Sequence, residues 1–86
     1  MFNIIERYIS KLSKEDINNF AKSKNIILNE NELDFTYSFI KKNYKDILKN
    51  PNLFNIDLYK NKYQSDNFNK IKKVFVEYFS KYQKFL

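Results

Sequence analysis

The chain contains no glycine and a single proline, Pro51, and this constrains its fold more than any motif. Tight hairpins, left-handed turns and strand bulges depend on residues this chain almost entirely lacks. An all-β or α/β fold is therefore poorly served. The expectation is an all-α fold: a single small bundle of four or five helices in one domain spanning residues 1–86.

Apolar material is sufficient for a core. Hydrophobic residues make up 43% and aromatic residues 19% of the chain, with nine Phe and seven Tyr, too apolar a composition for a disordered segment despite 30% charged residues. An efficient core is still needed, because a short chain buries a smaller fraction of its surface. Glu6 and Arg7 interrupt the first apolar stretch, and no run of about eighteen apolar residues occurs, so neither a signal peptide nor a membrane span is expected.

Helical periodicity and capping residues divide the chain. Phe2, Ile5, Tyr8 or Ile9, and Leu12 form a first short stripe. Ser13 is an N-cap, followed by Glu15 and Asp16 in a first turn where the helix dipole favours acids; this second helix is expected to bury Ile17, Phe20 and Ala21 and to fray near Lys24 and Asn25. Ile26, Ile27 and Leu28 form a β-branched connector. Asn29 with Glu32 three residues on is a capping box, the best-marked boundary in the chain.

The third helix sets Leu33, Tyr37, Ile40 and Tyr44 on one face, and Ile47 and Leu48 continue it if the helix runs through residues 45–50. Asn50 and Pro51 end it, and Pro51 can open a short fourth helix with Leu53, Phe54, Ile56, Leu58, Tyr59 and Tyr63. Ser65 is expected to cap the last helix, from about Asp66, with Phe68, Ile71, Val74, Phe75, Tyr78, Phe79, Tyr82 and Phe85 as its stripe.

Chemistry is easier to exclude than to find. Glycine-dependent phosphate loops are ruled out, and the absence of His and Cys removes the usual general base, thiol nucleophile and zinc ligands together. No catalytic residue, metal site or cofactor is expected, and the chain reads as a non-enzyme. Tyr37 and Lys41 share the Tyr-x-x-x-Lys spacing of one dehydrogenase class but read as helical neighbours. The acidic stretch from Asn29 to Asp34 lacks the Gly and distal Glu of a calcium loop, and capping accounts for it. Absence of Cys suits a reducing compartment, and a cytoplasmic location is expected.

Two surfaces remain. Phe35 and Phe39 project about 160° to 200° from the Leu33, Tyr37, Ile40, Tyr44 face, so the helix is either wrapped by neighbours or presents a patch to a partner helix or a second copy. This patch supports the leading reading, a protein-interaction domain that includes self-association. The second surface is basic. The net charge of +6 divides into −1 over residues 1–40, with five basic and six acidic side chains, and +7 over residues 41–86, with eleven and four.

Lys70, Lys73, Lys81 and Lys84 fall within an arc of about 80° opposite the last apolar stripe, with Lys41, Lys42 and Lys45 as further candidates. These support the alternative, a nucleic-acid-binding module with Tyr59 or Tyr63 available for stacking. Fifteen Lys against one Arg is equally what an AT-rich coding sequence writes, and Glu77 sits among the lysines as an ordinary helix pair.

The order Leu12-Ser13-x-Glu15-Asp16-Ile17, Phe20-Ala21-Lys22, Asn25-Ile26-x-Leu28 and Lys42-Asn43-Tyr44-Lys45-Asp46-Ile47-Leu48 resembles the small YqfT-like proteins of low-GC Gram-positive bacteria, a family of unknown function. The resemblance covers about the first fifty residues and lacks that family's Glu-rich second half. It implies a bacterial cytoplasmic protein of similar length and helical content, and no activity. Residues 13–43 also resemble a helix-extended-helix module of the SAP type, which binds DNA, without the glycine of its connector.

Overall fold

A computed structural model describes residues 2–50 and 54–83, with side chains described for residues 6–50 and 54–78. The described residues form α1 (Phe2–Ser10), α2 (Lys14–Ser23), α3 (Glu30–Lys49), a 3-10 helix (Ile56–Lys62) and α4 (Ser65–Gln83), and contain no strand. The all-α bundle expected from the sequence is the observed architecture. Helix α3 continues through Lys49, with the Asn50 N–H bonded to the Asp46 carbonyl at 3.0 Å. Pro51 and Leu53 lie outside the described residues.

Both N-caps form, and each is a reciprocal capping box, which for Ser13 goes beyond the simple cap expected. Ser13 Oγ accepts from the Asp16 N–H while Asp16 returns a bond to the Ser13 N–H, which holds the Asp16 carboxyl below its ordinary range. Asn29 and Glu32 make the same exchange at 2.8 and 2.9 Å. Helix α2 ends in a Schellman arrangement, with Ile26 N–H on the Ala21 carbonyl and Asn25 N–H on that of Lys22. Asn25 takes the left-handed position at φ 62°, where glycine is usual.

Few residues are buried, and they are concentrated. Ile17 and Ala21 of α2, Ile26 of the connector and Phe68 of α4 form the closed core, beside Glu32 and Asn67. Glu32, 2% exposed, binds more than its own helix end. Its Oε2 accepts the Gln64 N–H at 2.8 Å, and its Oε1 accepts both the Asn29 N–H and Asn67 Nδ2 at 2.9 Å; Asn67 Nδ2 also reaches the Ile27 carbonyl. One carboxylate thus satisfies the cap positions of α3 and α4. The Phe68 N–H bonds the Gln64 carbonyl, so Gln64 occupies the cap position and Ser65, expected there, is the first helical residue.

Two further expectations need correction. Phe20 is 45% exposed rather than buried, because it lies at the edge of the α2 stripe and meets Tyr78 edge-to-face at 5.7 Å. The fourth helix is of the 3-10 type, whose three-residue turn puts Ile56 and Tyr59 half-buried on one side and leaves Leu58 74% exposed. Tyr63, which follows it, exchanges a 2.6 Å hydrogen bond with Thr36 Oγ1 on α3.

Glu32→Gln puts an amide N–H where a carboxylate now accepts, and is expected to lower the unfolding free energy by about 3 kcal/mol in urea titrations. A loss below about 1 kcal/mol would show that water replaces these bonds. Burial raises the Tyr63 phenol above its ordinary 10.0, with the Thr36 bond opposing part of that shift. The folded state therefore retains the phenolic proton longer than the unfolded chain, and this contribution is full below pH 10.0 and lost as pH rises through the raised value. Tyr63→Phe is expected to flatten this alkaline loss in stability measured against pH.

Candidate functional site

The expectation that Phe35 and Phe39 form an exposed patch does not hold in the structure. Both are half-buried, stacked on each other at 5.7 Å and covered by the 3-10 segment. Phe35 meets Tyr59 at 6.0 Å and Tyr63 at 5.8 Å, and Phe39 meets Tyr59 at 4.6 Å and Phe54 at 5.7 Å. Phe54 lies 5.0 Å from Phe75, so its ring links α3 to α4. Helix α3 is thus wrapped on both sides, the other outcome the sequence left open. Such ring pairs contribute about 0.5–1.5 kcal/mol each beyond their burial.

Among the described residues, three of the candidate lysines are engaged by groups of the fold itself. Lys41 Nζ donates to the carbonyls of Ile9 and Ser10 at 2.7 and 2.9 Å, closing the C-terminus of α1, and Lys70 Nζ donates to the Asn25 carbonyl at 2.8 Å just past the end of α2. Lys45 lies 4.0 Å from Glu6. Lys42 and Lys73 are exposed. The Lys81 side chain and all of Lys84 lie outside what is described. Cations at helix C-termini compensate the dipole and the unsatisfied carbonyls, so Lys41 and Lys70 have architectural roles that charge arithmetic alone does not reveal.

The structure places an apolar surface elsewhere. A cleft of ≈ 420 Å³ opens among α1, α2, α3 and α4, floored by Ile17, Ala21, Ile40 and Ile71, with Tyr8, Phe20 and Tyr78 at its edges. Of its lining residues, only Asp16 and Thr36 are polar apart from the tyrosine hydroxyls. Tyr8, Phe20 and Tyr78 are 69%, 45% and 43% exposed. Lys24 stands over the Phe20 and Tyr78 rings at 5.8 and 5.2 Å, adding a cation at one lip.

Sequence reasoning missed this cleft because it assigned Phe20 to the core and left Tyr8 and Ile9 undistinguished. The signal was the flank position of Phe20, about 60° from Ile17 on the helical wheel. Ile9 instead lines an adjoining apolar pocket of ≈ 280 Å³ beside the aromatic cluster.

These features define a small all-α bundle with a pre-formed apolar cleft. No family model, curated protein or solved structure matches the chain.

Lys41→Ala is expected to cost about 1 kcal/mol and the more exposed Lys70→Ala about 0.5 kcal/mol in chemical denaturation, with Lys42→Ala and Lys73→Ala near zero. Equal effects at all four positions would contradict the capping roles.

Proposed function

We propose that the protein is a non-enzymatic interaction domain that receives an amphipathic helix of a protein partner in the cleft edged by Tyr8, Phe20 and Tyr78. The observation that carries this reading is the cleft itself. Protein interiors leave few voids larger than a water molecule, whereas this chain keeps ≈ 420 Å³ of apolar space open beside half-exposed rings. Helix-in-groove recognition uses apolar anchors at i, i+3, i+4 and i+7 against such a surface.

Charge favours an acidic partner over a second copy. Two chains of net charge +6 repel, and the Lys24 ammonium at the lip is placed to meet a carboxylate. Self-association, the other form of this reading, becomes an outcome of the test. The hydrogen bonds of Lys41 and Lys70 to backbone carbonyls at helix ends, with the exposed Lys45 beside Glu6, weigh against an extended phosphate-binding face. Membership of the YqfT-like family and a cytoplasmic location belong to the same proposal; they rest on the pattern of residues 12–48 and on a cysteine-free chain, and neither adds an activity.

Selection of the protein against a displayed library of short helical peptides, acidic, neutral and basic, tests the reading. Acidic amphipathic sequences should be enriched, and Phe20→Asp should abolish their binding while Ile27→Asp, exposed but outside the cleft, leaves it intact. Enrichment of basic or non-helical peptides, or equal binding by Phe20→Asp, would overturn it. So would a dimer in sedimentation that Phe20→Asp dissociates, because a second copy would then be the occupant.

A further inference from the structure

A third concavity lies at the far end of α3; it shares no lining residue with the cleft and borders the ≈ 280 Å³ pocket through Phe39, Ile47, Phe54 and Tyr59. Its volume is ≈ 250 Å³, and its walls are Phe39 and Ile47 of α3 with Phe54 and Tyr59. Asn43, Asp46 and Asn50 complete the lining from α3 and its cap, so carbonyl-bearing side chains meet an aromatic wall. Flat aromatic rings with a few hydrogen-bonding groups at one edge describe a site for a single planar heterocycle.

The rim chemistry narrows the choice. Asn43 donates Nδ2 to the Phe39 carbonyl at 3.1 Å, and its Oδ1 is an acceptor. Asp46 is exposed, and no ion pair or side-chain hydrogen bond engages its carboxylate among the described residues. A carboxylate's two oxygens suit a pair of adjacent donors. The Asn50 carboxamide supplies a donor and an acceptor.

Among the nucleobases, guanine alone presents two adjacent donors, N1–H and the N2 amino group, beside an acceptor, O6. Adenine and cytosine place a ring-nitrogen acceptor next to their amino group, which opposes a carboxylate, and uracil flanks its one N–H with carbonyls. Lys42 and Lys49 lie on α3 four residues before and three after Asp46, on a chain of net charge +6, so a phosphate attached to the base meets positive charge.

We propose that this pocket binds a guanine base, stacked against Phe54 or Tyr59, whose ring planes lie 19° apart, with the inclined Phe39 ring closing one side, N1–H and the N2 amino group donating to Asp46, and O6 accepting from Asn50. The base comes either as a free nucleotide or as part of a single strand; the contacts described are common to both. Stacking supplies affinity and the carboxylate supplies discrimination.

Titration of the intact protein with GMP, AMP, CMP and UMP, followed by calorimetry and by the NMR signals of the Tyr59 ring, tests this. GMP should bind at least about tenfold tighter than the others and shift Tyr59. Asp46→Asn, at an exposed position that the fold does not depend on, should erase the preference, while Phe20→Asp should leave it unchanged and so separates this site from the cleft. A short single-stranded RNA with one guanine, compared with its adenine counterpart, identifies the source: tighter binding than GMP with the same preference indicates a strand, and equal binding indicates the nucleotide. Absence of GMP binding, equal binding of AMP or UMP, or a guanine preference that survives in Asp46→Asn would overturn the assignment.

Discussion

A single carboxylate holds the start of two helices. Glu32 is the third residue of α3 and completes that helix's own capping box, yet its second oxygen serves Gln64 at the start of α4 and its first also holds Asn67. The positive ends of two helix dipoles therefore converge on one buried carboxylate, in the place where a lysine or arginine counter-charge would usually stand. Hydrogen bonds to a charged acceptor contribute about 1.5–3 kcal/mol each, enough to offset much of the desolvation that burial imposes. The closed core of Ile17, Ala21, Ile26 and Phe68 gathers around this junction. Beyond it α3 and α4 are connected through rings, with Phe54 between Phe39 and Phe75.

Absence of glycine shapes the rest. A helix that ends without glycine must satisfy its last carbonyls by other means. Helix α2 uses Asn25, which tolerates the left-handed region better than other residues, and Lys70 from α4 takes the Asn25 carbonyl. Helix α1 has no left-handed cap among the described residues, and Lys41 from α3 takes two of its carbonyls. Long lysine side chains thus tie one helix to the end of another. Part of the basic composition is structural wiring.

The sequence showed helix existence and the local caps, because Ser13 with Asp16 and Asn29 with Glu32 act within one turn and their signals are local. It also showed that Phe35 and Phe39 could not share a face with Tyr37 and Ile40, though not that the 3-10 segment would cover them. What it could not show was long-range. Nothing in the spacing of Glu32 marks its bonds to Gln64 and Asn67, thirty-two and thirty-five positions away. Leu58 reads as a core residue under a 3.6-residue period and turns outward under a period of three. The cleft was hidden for a similar reason, since Tyr8 and Phe20 belong to stripes that are apolar in sequence but only partly covered in space.

The cleft and the far pocket are separate in lining but not in packing. Phe75 lines the cleft and touches Phe54, which walls the pocket, with ring centroids 5.0 Å apart. Ile40 faces the cleft and its neighbour Phe39 faces the pocket, on one continuous helix. An adjoining apolar pocket of ≈ 280 Å³ is lined by all four residues. An occupant that displaces Phe75 therefore acts on Phe54 through direct contact. Such coupling is reciprocal: whatever a cleft ligand does to the affinity of the pocket, a pocket ligand does to that of the cleft.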